Sequence, residues 1–412
     1  MFAPTMEAPV DSRLPVRRAG RPARQSRARR LQALTLAVLG LATQSLGQDS
    51  LSPDQVFRTS PRTGRVEIIT GVVSENSLGK VRVDRASGDQ DQYTADEIVE
   101  IVWNSAPSTY KDGNVFLERR DYEAAVAMFK SAASDSDARE VVQAAARHSV
   151  ARALLLAGGQ DANRYAECIE ECDRFLADYS DNRDLPQVRW LKARALRLDG
   201  KGAEAAQAFK ALYEEGANDP ATEGYDREFC LRAGLDAAEA FLSQGDTLGA
   251  RELYATLQNS LQGLIAGMDT VEFPAEIARL EGAREVAALG EGFCLLVDGQ
   301  TDQAMSFFEG KASNPSDTSN GSARGGALLG LGEALLEKGR HRQAQIEFAK
   351  VTTVDYSNRD HRARALLGLA RASMKLGDPS SAEETKRYLS SIMTQYTDTP
   401  ASQAARELLK SF

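Results

Sequence analysis

Two periodicities divide the chain. Between residues 50 and 104, short β-branched runs alternate with polar positions, as in Val66, Ile68, Thr70 and Val72 and again in Val81 and Val83, and break at Gly, Asn, Ser and Asp. This pattern predicts strands over 54–59, 65–75, 79–86, 91–95 and 98–103, each too short to stand alone, and together a small twisted sheet or barrel. From Tyr110 onward the two-residue period ends, and Ala- and Leu-rich segments with helical spacing take over. The sheet of about 50 residues would be marginal by itself, so it is expected to pack on the helical part through Trp103 or Val102.

A repeat governs the helical part. A glycine followed five residues later by alanine recurs at Gly200/Ala205, Gly245/Ala250, Gly299/Ala304, Gly339/Ala344 and Gly377/Ala382. Four residues beyond that alanine stands an aromatic, Phe209, Tyr254, Phe308 or Phe348, with Lys386 as the exception. Twelve residues before it stands a small residue, Ala193, Ala238, Gly292, Gly332 or Ala370. Gly113, Ala125 and Phe129 give the same frame one unit earlier, with Arg120 in place of the turn glycine. Such spacing describes a helix hairpin in which glycine ends the first helix, small residues allow close approach, and the aromatic fills the hole between hairpins.

The frame resembles the tetratricopeptide repeat (TPR), with small residues at the family's eighth and twentieth positions, an apolar eleventh (Phe116, Leu196, Phe241, Leu295, Leu335) and an aromatic twenty-fourth. A further unit over 141–180 places Ala151 and Leu154 on its first helix and Cys168, Cys172 and Phe175 on its second. The anchors at 125, 168, 205, 250, 304, 344 and 382 lie 43, 37, 45, 54, 40 and 38 residues apart rather than the family's uniform ~34, so insertions are expected. These include one long helix starting near Pro274 and a loop over 311–325; ASQAARELLKSF reads as a capping helix. The expected organisation is a mostly α protein: a TPR-like superhelix of about seven hairpins over 107–412, preceded by a small SH3-like or Sm-like β domain over 48–106.

Charge adds a compartment. The whole chain of 412 residues carries a net charge of −9, yet residues 1–47 hold eight Arg against Glu7 and Asp11, leaving the remainder at −15. Arg30 is followed by the short apolar run LQALTLAVLGLATQSLG, and the combination forms the pattern of an export signal over 1–47, with a retained anchor and peripheral membrane association as the alternative. The acidic remainder excludes phosphate-backbone binding in bulk, so nucleic acid is not an expected partner.

No phosphate loop, HExxH or paired CxxC occurs, and neither a cofactor nor a metal site is expected. Cys168 and Cys172, four apart on a helix, are too far apart to close a disulfide and read, with Cys230 and Cys294, as small buried apolar residues. His148, His341 and His361 read as surface or boundary residues, and most acids as a solvated face. The resemblance implies a concave groove lined by the first helix of each hairpin. Carried over, its ligand positions fall on Gln187, Trp190, Arg194, Arg197 and Leu198 in the third repeat and on Leu289, Phe293, Leu296 and Val297 in the fifth. In the last repeat they fall on Arg364, Leu367, Arg371, Met374 and Lys375. The partner-binding residues taken forward are Trp190, Arg194, Arg197, Phe293, Arg364, Arg371 and Lys375. They could hold an acidic peptide or a C-terminal carboxylate, or instead pair with acids of neighbouring helices. The apolar fifth repeat calls for cover, either by the superhelix itself or by an apolar partner. The expected function is a non-enzymatic scaffold of the bacterial cell envelope that binds a protein or peptide; the alternative is a cell-wall glycan or small-ligand binding protein or enzyme using the groove as a cleft.

Overall fold

In the computed structural model, residues 52–60, 65–216, 224–313, 321–355, 358–377 and 381–411 are described. The export signal expected over 1–47 lies outside them. Five antiparallel strands come first: β1 (Asp54–Thr59), β2 (Val66–Asn76), β3 (Val81–Asp84), β4 (Gln90–Tyr93) and β5 (Ile98–Val102), in the order β4-β3-β2-β1-β5. A 3-10 turn, Ala95–Glu97, precedes the last strand. This is the small all-β domain the alternation predicts, but the phase within β2 is opposite. Val66 and Ile68 are exposed, whereas Val73 is buried and Gly71 lies where a Cβ would meet Val83 and the Asp84 carbonyl. A register shift between Val73 and Glu75 bends β2 onto β3.

The inner face shares its core with the helices. Trp103 is buried with Val56, Val73, Val83 and Ile101 against Val142 and Ala145 of α3 (Glu140–Ala157), so Trp103 makes the expected junction. Asp54 is fully buried and carries the polar side of the same junction. It accepts from the Val73 and Asn104 amides and from Arg139, at 2.9 Å from either carboxylate oxygen. The β2–β3 turn is held as well: the Leu78 amide donates to the Asp181 carbonyl (2.8 Å) and the Arg183 amide to the Asn76 carbonyl (3.1 Å). Residues 51–412 accordingly form one compact unit.

Seven TPR-like helix hairpins follow: α1 (Ser108–Glu118) with α2 (Tyr122–Ala133), α3 with α4 (Asn163–Asp178), and α5 (Leu185–Leu198) with α6 (Gly202–Gly216). Next come α7 (Arg227–Ser243) with α8 (Thr247–Ala266), and then α9 (Pro274–Ala288) leading into α10 (Gly290–Val297), which pairs with α11 (Thr301–Ser313). The last two hairpins are α12 (Gly321–Glu337) with α13 (His341–Val354) and α14 (Arg359–Leu376) with α15 (Ser381–Gln395), before a final helix α16 (Pro400–Lys410). The single long helix expected from Pro274 is divided at Leu289, where Gly290 packs its bare Cα against the Tyr254 ring. The loop expected over 311–325 is shorter, because α11 runs to Ser313 and α12 opens at Gly321.

The turn glycines do what the frame requires. Gly200, Gly245, Gly299, Gly339 and Gly377 all have positive φ, between 66° and 82°, and Arg120 occupies the same left-handed conformation at 63°. Each aromatic is a wedge between two first helices. Phe348 is fully buried between Gly332 and Gly368, and Phe308 between Gly292 and Gly330, where any Cβ would stand within 2.7 Å of the ring. The last hairpin departs by one residue: Ser381 and Thr385 are buried while Ala382 and Lys386 are exposed. Thr385 therefore takes the wedge position, its hydroxyl donating to the Ser381 carbonyl at 2.7 Å and lying 3.4 Å from the Ala370 carbonyl, so Lys386 is not a defect in the frame.

All four cysteines are buried free thiols, and Cys168 donates to the Ala151 carbonyl at 3.2 Å. His361 is buried, not a boundary residue; its Nδ1 lies 2.8 Å from Asp355 Oδ2.

The superhelix closes on itself. Arg120 Nη1 donates to the Thr394 carbonyl at 2.7 Å, across 274 residues of sequence. Gly159, between α3 and α4, packs against Thr397, and Gln403 of α16 donates to the Leu198 carbonyl. Arg120 thus combines a strained backbone with a closing contact. Arg120→Ala keeps the left-handed conformation and loses the contact, whereas Arg120→Gly loses the contact but relieves the strain. We expect the alanine variant to be less stable than the glycine variant by about 1 kcal/mol in urea titrations, the reverse of their order inside a helix.

Candidate functional site

Closure turns the concave face into a cavity of about 320 Å³. The helical period explains its walls: Arg197 lines it from the face of α5 that also carries positions 190 and 194 behind the wall, and positions 360, 364, 367 and 371 share one face of α14. Glu239 comes from α7, Phe293, Leu296 and Val297 from α10, and Glu333 and Leu336 from α12. Pro400, Ala401 and Ala404 of α16 complete the lining. Cover for the apolar fifth repeat comes from the superhelix itself, although Val297 remains 47% exposed.

Most of the carried-over cations are engaged internally. Arg194 is buried, donates to Asp360 at 2.9 Å and to the Asp398 carbonyl at 2.7 Å, and lies 5.0 Å from the Trp190 ring centroid. Trp190 Nε1 donates to Asp236 Oδ2 at 2.7 Å, and Arg197 lies 3.6 Å from Glu239. Arg364 donates to both Glu333 oxygens, at 2.9 and 3.0 Å, with its guanidinium 5.0 Å from the Phe293 ring centroid. Arg371 and Lys375 are exposed at the last hairpin and have no ion-pair partner among the described residues. Of the residues taken forward, Arg197, Phe293, Arg364 and Arg371 line one cavity; Trp190 and Arg194 lie behind its wall, and Lys375 lies outside the lining.

Sequence reasoning missed the acids. Glu239, Glu333 and Asp360 are not a solvated face but the partners of these cations, and Asp236 is the acceptor for Trp190; the available signal was Asp360 standing one helical turn before Arg364. The contribution of α16 had no local signal.

The pairs tune one another. Burial pushes the Asp360 carboxyl upward, but the Arg194 guanidinium outweighs this and holds it below the ordinary carboxylate range. Asp236 goes the other way: burial raises it to about 6, with Arg194 opposing and Asp360 and Glu239 reinforcing. A carboxyl raised in the folded state binds its proton more readily folded than unfolded. Its stabilising contribution is therefore complete below the ordinary value of 3.8 and is lost as pH rises through about 6. Asp236→Asn keeps an acceptor for Trp190 and removes the buried charge. The variant should gain about 1–3 kcal/mol at pH 8 and nothing below pH 4, read from urea midpoints across pH. An unchanged difference from pH 4 to 8 would contradict a raised Asp236.

Among the described residues, no group of three or more His, Cys, Asp or Glu could hold a metal ion, and no helix is long and apolar enough to cross a membrane. The cavity combines an apolar wall with fixed ion pairs and, among the described residues, one lining cation, Arg371, without an ion-pair partner, an arrangement equipped for binding.

No family model and no curated sequence matches the chain. Among solved structures, a tetratricopeptide repeat protein from Parabacteroides merdae ATCC 43184 is 12% identical, with a TM-score of 0.40, over 68% of this chain and 98% of that one. NprR in complex with its cognate peptide NprX is 13% identical, with a TM-score of 0.37, over 73% of this chain and 81% of that one.

Proposed function

We propose that the chain is a protein-interaction scaffold of the bacterial cell envelope, non-enzymatic and acting after export, that engages a partner protein at the rim of its concave face. The observation supporting this most directly is the rim itself. Val297, Arg371 and Lys375 remain exposed where the rest of the groove is consumed by internal pairs, and an exposed apolar and basic edge suits an acidic partner segment. The mainly apolar cavity wall, with its polar groups already paired, supports a glycan reading less well, since a glycan needs many free donors and acceptors.

The test is crosslinking capture from envelope extract by the full chain, run beside Arg371→Glu/Lys375→Glu. A defined protein captured by the first and lost by the second is the expected result; an identical set from both would remove the rim from the reading.

A further inference from the structure

We infer that the central cavity is a ligand site in its own right, taking a small amphipathic monoanion with its apolar body against α10 and α14 and its anionic group on Arg371. At about 320 Å³ the cavity falls at the small end of ligand pockets, suited to a body of about ten heavy atoms and too small for a threaded polypeptide. Phe293, Leu296, Leu336, Leu367 and Ala404 give it apolar walls.

The charges select the head group. Arg197 is paired with Glu239, Arg364 with Glu333, and Asp360 with Arg194, which leaves Arg371 as the lining cation without an ion-pair partner among the described residues. A neutral ligand would strip water from Arg371 and return nothing. A cation would meet like charge. A dianion would bring a second charge against Arg197 and Arg364, which already hold carboxylates. One negative charge on an apolar body satisfies the site.

This inference goes beyond partner docking and fails separately from it. The probes share one carbon chain: octanoate (monoanion), octanol (neutral) and octanedioate (dianion), each titrated into the full chain by calorimetry. Octanoate should bind at least tenfold more tightly than either of the others. Arg371→Gln should lower octanoate to the level of octanol, and Arg371→Lys should recover part of the loss. Ala404→Phe, at a half-buried lining position of α16 outside the rim, should block octanoate while crosslinked partner capture at the rim persists. Because Arg371 is exposed, its variants are expected to melt like the parent, which separates lost binding from lost folding. Absence of octanoate binding, equal binding of octanoate and octanol, or octanoate affinity unchanged in Arg371→Gln would each overturn the site.

Discussion

Arg194→Met should lower stability by about 3–5 kcal/mol, because it removes the cation between two carboxylates and leaves the half-buried Asp360 without its hydrogen-bonded partner. Methionine can fill the volume and lie on Trp190, so the loss measures charge rather than packing. A second substitution discriminates further: Arg194→Met/Asp360→Asn takes away the orphaned charge and should recover a substantial part of the loss, as contacting residues are not additive. Urea titration gives the energies. Amide exchange over residues 394–403 gives the location, since Arg194 donates to the Asp398 carbonyl and holds that segment against α5. A loss under about 1 kcal/mol would show the pair to be no stronger than a surface ion pair.

Phe348→Ala should cost about 3–5 kcal/mol as well, for a different reason. The ring is fully buried, and its two flanking residues, Gly332 and Gly368, have no side chains that could move into the void. The site cannot collapse, which places the substitution at the costly end of large-to-small changes. The converse, Gly368→Ala, would set a Cβ 2.4 Å from the ring and should cost about 1–3 kcal/mol by overpacking. Calorimetric melts of both variants test the wedge; a Phe348→Ala loss below that of Gly368→Ala would contradict it.

Local features of this architecture are written in local sequence. Each strand was readable to within a few residues because alternation and turn residues are short-range signals. The glycine frame identified the hairpin turns, down to the arginine that replaces one of them, because only a left-handed position makes that spacing recur. Errors arose where a distant contact decides. The phase of β2 depends on Val83 approaching Gly71, the break before Gly290 on a ring from α8, and the burial of His361 on Asp355. The groove was legible as a set of faces: Arg197, Phe293, Arg364 and Arg371 do converge. Its closure was not: Arg197 and Arg364 are paired by acids of adjacent hairpins, but the pair that draws the two ends together, Arg194 with Asp360, joins the third hairpin to the seventh.

The contact between Arg120 and Thr394 also bears on how the chain folds. A linear stack of hairpins has two ends, each with one neighbour, and loses structure from those ends inward. Here the first and last hairpins are joined, so the array has no free terminus from which to fray. The segment 394–403 can be held only after the intervening repeats have formed, because a loop of 274 residues must close before any of its contacts is gained. Closure should therefore be the late, slow step of refolding, and once made it couples the stability of the first hairpin to that of the last.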